Sequence, residues 1–168
     1  MNYVLIGFMG CGKSSIGRFM EGKGYKLIDT DRYIEEKEGR SVSDIFDSNG
    51  EEYFRNLETE TVKELAMGNY DGYVIAVGGG LPMRGENRRY MHEIGTVVYL
   101  KATAGTLEKR LSGDRSRPLL KGGNLREKIN KLMNDRADTY EQTADILVDT
   151  DDMSYEQVYN IIKEKTDR

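Results

Sequence analysis

Cysteine and histidine are nearly absent from this 168-residue chain, with one of each. Cys11 has no partner for an internal disulfide, and His92 cannot build a Cys/His metal cluster, so structural zinc is excluded. No apolar run approaches the length needed to span a membrane. The opening "MNYVLIGF" has no basic segment ahead of a hydrophobic stretch and no small-residue cleavage site, so a cytoplasmic protein is expected. No repeat, low-complexity tract or interdomain linker is evident. Hydrophobic content of 38% with 32% charged residues is that of a globular chain, and the length suits one ordinary domain, residues 1–168, without a second folding unit.

The net charge of −4 hides an asymmetry: residues 101–136 carry ten Lys/Arg against four Asp/Glu, a local +6. A solvated helix face, a nucleic-acid surface or a site for a small polyanion would each account for it. Residues 103–136 contain no aromatic side chain, which argues against a base-stacking surface; neither a nucleic-acid nor a membrane partner is expected.

Short, nearly continuous apolar runs recur as "YVLIG" from Tyr3, "YKLID" from Tyr25, "YVIAVGGG" from Tyr73, "TVVYLK" from Thr96 and "DILVDT" from Asp145. Such runs suit strands buried on both faces of a parallel sheet. Helical patterns fill the gaps at Lys13–Gly22, Asp31–Glu38, Val42–Asp47, Glu51–Met67, Glu86–Glu93, Thr106–Leu111, Leu125–Tyr140 and Ser154–Lys165. The alternation predicts a doubly wound α/β domain. "SGDRSRPLLKGGN", residues 112–124, reads as a mobile lid.

Gly7 to Ser14, "GFMGCGKS", fits G-x-x-x-x-G-K-[ST] without mismatch, behind a strand and at the start of a helix. A glycine turn before a helix would explain the glycines but not Lys13 followed by Ser14. The segment Gly10, Cys11, Gly12, Lys13, Ser14, Ser15 is therefore expected to cradle the phosphates of a nucleoside triphosphate. Lys13 would reach the β and γ phosphates and the Ser14 hydroxyl would ligate Mg²⁺. Cys11 lies inside the cradle, either as a small filler or as an activated thiol whose alkylation would block ATP.

A phosphate cradle alone does not separate switches, motors and kinases. "DSNG" at 47–50 falls between helices and "NKLM" at 130–133 lacks the aspartate of a guanine-reading motif. The strand "YVIAV" ends in Gly78-Gly79-Gly80 rather than in the acidic residue of a motor ATPase; the glycines make either a tight connection or a close approach to a small ligand. Acidity comes instead from Asp29 and Asp31, beside the cradle. One could hold Mg²⁺ through water and the other could accept the proton of an attacking hydroxyl, unless Asp31 merely caps the helix that follows.

The set Gly7-x4-Gly12-Lys13-Ser14, Asp29-Thr30-Asp31, "FRNLE" at 54–58, Gly78-Gly79-Gly80, "RPLL" at 117–120 and Arg136-x3-Tyr140 resembles shikimate kinases over nearly the whole chain. The resemblance implies a five-stranded nucleoside-monophosphate-kinase-like fold. It implies transfer of the ATP γ-phosphoryl to the 3-hydroxyl of shikimate, in aromatic amino acid (chorismate) biosynthesis. By position, Asp31 would bind the ring hydroxyls and assist the attacking one, with Asp29 near Mg²⁺. Arg55 and Arg136 would grip the carboxylate, and the backbone of Gly78, Gly79 and Gly80 would approach the ring. Arg117 would close with the lid over the transferring phosphate, and Arg110 would flank the adenine. Of Arg110, Arg115, Arg117 and Lys121, only Arg117 is expected to be indispensable.

Residues 31–60 would form the acceptor-binding helical region of a monomeric enzyme. Two departures from the family pattern stand out: Asp138 in place of a common proline, and the acidic "DTDD" at 149–152 in place of a basic adenine contact. A kinase for another small acceptor, such as gluconate, and a nucleotide-binding module without catalysis are the alternatives.

Overall fold

The structure is a computed structural model that describes residues 1–114 and 116–168; Arg115, counted above with the lid cations, lies outside the described residues. The chain runs β1 (Tyr3–Ile6), α1 (Lys13–Glu21), β2 (Lys26–Asp29), α2 (Thr30–Glu38), α3 (Val42–Asn49), α4 (Glu51–Met67) and β3 (Tyr73–Ala76). It continues through α5 (Gly85–Ile94), β4 (Thr96–Lys101), α6 (Ala104–Leu111), α7 (Leu125–Thr143), β5 (Ile146–Asp149) and α8 (Tyr155–Thr166). Short 3-10 turns occupy Leu81–Met83 and Pro118–Leu120.

The strands form one parallel sheet in the order β2-β3-β1-β4-β5. β1, β3 and β4 are almost wholly buried, which is why their sequences run apolar without alternation. β1 lies between β3 and β4, so the chain reverses direction across the sheet at β1. In open α/β sheets the crevice beyond the carboxyl end of such a strand is where ligands settle. Asp29 pairs in register with Ala76, which brings the end of β2 level with the residues that open the triple glycine.

Two packing units carry the molecule. The main core includes Tyr3, Leu5, Ile6, Val74, Val98, Leu100 and Tyr140, while Ile34, Ile45 and Phe54 form a second cluster with Val42, Phe46 and Leu57. The second cluster binds α2, α3 and α4 to one another over the mouth of the crevice.

Helix starts follow side-chain capping. Ser41, Thr103, Asn124 and Ser154 each accept from a backbone amide of the first turn of α3, α6, α7 and α8. Thr103 therefore starts α6 at Ala104, two residues ahead of the start read from periodicity at Thr106. Likewise α7 continues past Tyr140 to Thr143, and Asp138 sits inside it without interrupting it. α1 differs: its cap is Gly12, with φ of 104°, and no side chain covers its first amides. Among the described residues, no helix is long and apolar enough to cross a membrane.

Candidate active site

Beyond the carboxyl end of β1 lies a cavity of about 740 Å³, lined by Gly10, Cys11, Gly12, Lys13, Ser14 and Ser15 on one side and by Arg110, Thr150, Met153 and Tyr155 on another. That size suits a nucleotide. Gly12 is left-handed, a conformation that lets the loop turn its amides inward at little steric cost. With the α1 amides uncapped, the loop and helix end together offer a row of donors and a positive dipole to an anion. Lys13 Nζ lies against the same loop, donating to the carbonyls of Gly7 at 2.8 Å and Phe8 at 3.0 Å.

Ser14 and Asp29 meet: the Ser14 hydroxyl donates to Asp29 Oδ2 at 2.6 Å. This hydroxyl-carboxylate pair supplies hard oxygens of the kind Mg²⁺ takes alongside phosphate and water, so the residues fit that ion. The other Asp29 oxygen accepts from the amides of Asp31 at 3.1 Å and Arg32 at 3.3 Å. Asp29, not Asp31, is therefore the cap of α2. Asp31 lies inside the first helical turn rather than on an extended strand, and its carboxyl group is free of the capping duty considered above.

A second pocket of about 60 Å³ adjoins the first and is lined by Asp31, Phe54, Arg55, Glu58, Gly78, Gly79, Gly80, Arg117 and Arg136. Asp31, Gly78, Gly79 and Arg117 line both spaces. Close approach leaves little room for a side chain at the three glycines. A Cβ on Gly78 would stand 2.7 Å from Glu58 Oε2 and 2.8 Å from Asp31 Oδ1, and one on Gly80 would stand 2.4 Å from the Arg55 guanidinium. On Gly79 it would meet Arg136 Nη1 at 3.2 Å.

Arg55 is oriented by two carboxylates of its own helix, Glu58 at 2.6 Å and Glu51 at 3.2 Å. Arg136, Asp31 and Glu58 are left incomplete. Among the described residues, the buried side-chain atoms without a hydrogen-bond partner are Asp31 Oδ1, Glu58 Oε2, Arg136 Nη1 and Asn87 Oδ1. Three of these four face the triple glycine, which marks the pocket as a place for polar ligand groups.

Burial, reinforced by the charge of Asp29, holds the Asp31 carboxyl above its ordinary range. Burial pushes Glu58 from 4.5 up to about 7, against the pull of Arg55. Folding therefore strengthens proton binding at Glu58 between those values. The stability this proton contributes is complete below pH 4.5 and is lost as pH rises through 7. Glu58→Gln removes the titration. From pH 5 to pH 8, the stability of the unmodified chain relative to that variant should fall by on the order of 2 kcal/mol in urea unfolding. A pH-independent difference would contradict this placement of Glu58.

Two expected groups are less engaged. Arg110 crosses to the cradle through Gly10, donating to its carbonyl at 3.2 Å. In the lid, Arg117 lies 3.4 Å from Asp114, an ion pair within the loop itself. Cys11 is 2% exposed and packed in the main core beneath the cradle, which favours the filler reading over that of an activated thiol open to alkylation. In the acidic loop, Asp151 is taken up by the Thr103 amide at 3.2 Å.

Thr30, Glu58 and Tyr140 carry site geometry to which the sequence reading assigned no role. Glu58 was discoverable, since it lies three residues beyond Arg55 on a helix and must share its face.

Residues 9–166 match the shikimate kinase family. A shikimate kinase of Geobacter sulfurreducens is 43% identical over 158 residues, covering 94% of this chain and 86% of that protein. The chain belongs to the shikimate kinase family. Its activity is that of a shikimate kinase, an ATP-dependent kinase. The solved structure of shikimate kinase from Acinetobacter baumannii in complex with shikimate superposes with a TM-score of 0.91 at 32% identity, covering 97% of this chain and 90% of that one. A gluconokinase from Sinorhizobium meliloti, by contrast, shares the fold alone, at a TM-score of 0.56 and 16% identity. The five parallel strands expected from the sequence are present, and the structure adds their order, 2-3-1-4-5.

Proposed function

We propose that this chain transfers the γ-phosphoryl group of MgATP to the 3-hydroxyl of shikimate, with the larger cavity as donor chamber and the glycine-lined pocket as acceptor chamber. The observation that carries this reading is the shared wall: Asp31 and Arg117 line both spaces, where a hydroxyl and a transferring phosphoryl group must meet.

In this reading the amides of Gly10, Cys11 and Gly12 and the Lys13 ammonium hold the triphosphate, with Lys13 leaving the Gly7 and Phe8 carbonyls for phosphate oxygens. Ser14 and, through water, Asp29 would hold Mg²⁺, which supplies neutralisation of phosphate charge. Arg110 and Ser15 border the nucleotide. Arg136 and Arg55 grip the acceptor carboxylate, because a planar carboxylate is best matched by guanidinium forks. Asp31 accepts the proton of the attacking hydroxyl. A carboxyl held above its ordinary range is a better base than a solvated aspartate.

Phosphoryl transfer needs positioning and positive charge more than covalent participation. Arg117 would leave Asp114 and turn to the phosphate as the 112–124 lid closes and excludes water. The separate small core between α2, α3 and α4 favours motion of residues 31–60 toward the acceptor as one piece. We take the enzyme to act as a cytoplasmic monomer.

An acceptor panel tests the assignment. ADP release coupled to a spectrophotometric assay should depend on shikimate and not on gluconate or a nucleoside monophosphate. Release with gluconate and none with shikimate would overturn it.

A further inference from the structure

We infer that Thr30 and Tyr140 are positioning residues that pin the triple-glycine turn in its acceptor-binding shape, a role that rests on the acceptor reading above. Glycine has more backbone freedom than any other residue, and three in succession would not by themselves hold a shape. Yet this turn must keep three close approaches at once, to Glu58 and Asp31, to Arg136 and to Arg55.

Side chains from opposite sides of the crevice restrain it. The Gly78 amide donates to Thr30 Oγ1 at 3.0 Å, in a fully buried contact between the start of α2 and the end of β3. One residue further on, the Tyr140 hydroxyl donates to the Gly79 carbonyl at 2.5 Å. Both residues are 0% exposed, so water cannot replace either bond without opening the core.

The attachment points are chosen for the chemistry around them. Thr30 stands between Asp29 and Asp31, so the residue that fixes Gly78 is covalently next to the proposed base. Tyr140 follows Arg136 by four residues on α7 and shares its face, so the helix that presents the carboxylate-gripping guanidinium also fixes the backbone facing it. The Tyr140 ring is itself held against Tyr99, with centroids 5.2 Å apart. The loop amides, Lys13 and Ser14, which hold the donor, make no hydrogen bond to either residue.

The test uses Thr30→Val and Tyr140→Phe, each of which removes the hydroxyl and keeps the packing, together with Thr30→Ser as the rescue. Steady-state kinetics should show the shikimate KM raised about tenfold in Thr30→Val and in Tyr140→Phe, with the ATP KM within about threefold of the unmodified enzyme. Thr30→Ser should return the shikimate KM to within about threefold. Unchanged shikimate KM, a parallel rise in both KM values, or a serine variant as impaired as the valine variant would overturn the role. Should Thr30→Val not fold, Thr30→Ala against Thr30→Ser supplies the same comparison.

If the unmodified enzyme shows no shikimate-dependent turnover, the acceptor reading has failed rather than the pins. Amide hydrogen exchange at Gly78 then decides the pins separately: exchange at least tenfold faster in Thr30→Val supports them, and an unchanged rate removes them.

Discussion

Asp31→Asn is expected to lower turnover by about 10²–10⁴-fold while leaving the ATP KM within about threefold. Asparagine keeps the shape and the position in the first turn of α2 but cannot accept a proton from the attacking hydroxyl. The cap of α2 belongs to Asp29, so the helix start survives the substitution. The variant should also be no less stable than the parent, because the carboxylate it removes is buried next to Asp29 with one oxygen unpartnered. Coupled ADP release and thermal unfolding measure both expectations. Turnover within a factor of two of the parent would remove Asp31 from the chemistry.

Arg136→Ala is expected to raise the shikimate KM about a hundredfold, the effect of losing charge-assisted hydrogen bonds to a carboxylate in a dry pocket. Arg136 is 5% exposed and its Nη1 has no hydrogen-bond partner among the described residues. It lines the acceptor pocket and not the donor cavity, so ATP binding measured by titration calorimetry should persist. Arg136→Lys should recover only part of the loss, since a point charge cannot reproduce the planar fork. Loss of ATP binding in Arg136→Ala, with acceptor binding intact, would reverse the assignment of the two chambers.

What the sequence made legible was whatever depends on short spacing. The cradle is written in Gly7 to Ser14, and buried parallel strands announce themselves as unbroken apolar runs. The triple glycine was visible but ambiguous, either a tight connection or a close approach to a ligand, and the structure adds the Asp31, Arg55, Glu58 and Arg136 atoms that crowd it.

Less legible was anything set by contact across the fold. Asp29 and Asp31 carry identical side chains, and only the geometry of the α2 start decides which of them caps and which stays free. Thr30 and Tyr140 matter through partners 48 and 61 residues away, which no local pattern reports. The reactivity of Cys11 could be entertained from its neighbours Gly12 and Lys13, but its burial beneath the loop comes from packing against the sheet. Helix ends moved for a similar reason, as at α6, where a threonine cap fixes the first residue more firmly than apolar periodicity does.

Asp31 and Arg117 line both spaces, and in the proposed reading the donor and the acceptor react at that common wall. The most direct measurement is phosphorus and proton NMR of shikimate incubated with MgATP and the enzyme. The expected product carries one phosphate ester on the 3-hydroxyl, formed in step with ADP. Phosphate ester on another oxygen, or ADP formed without any shikimate ester, would contradict the proposed transfer.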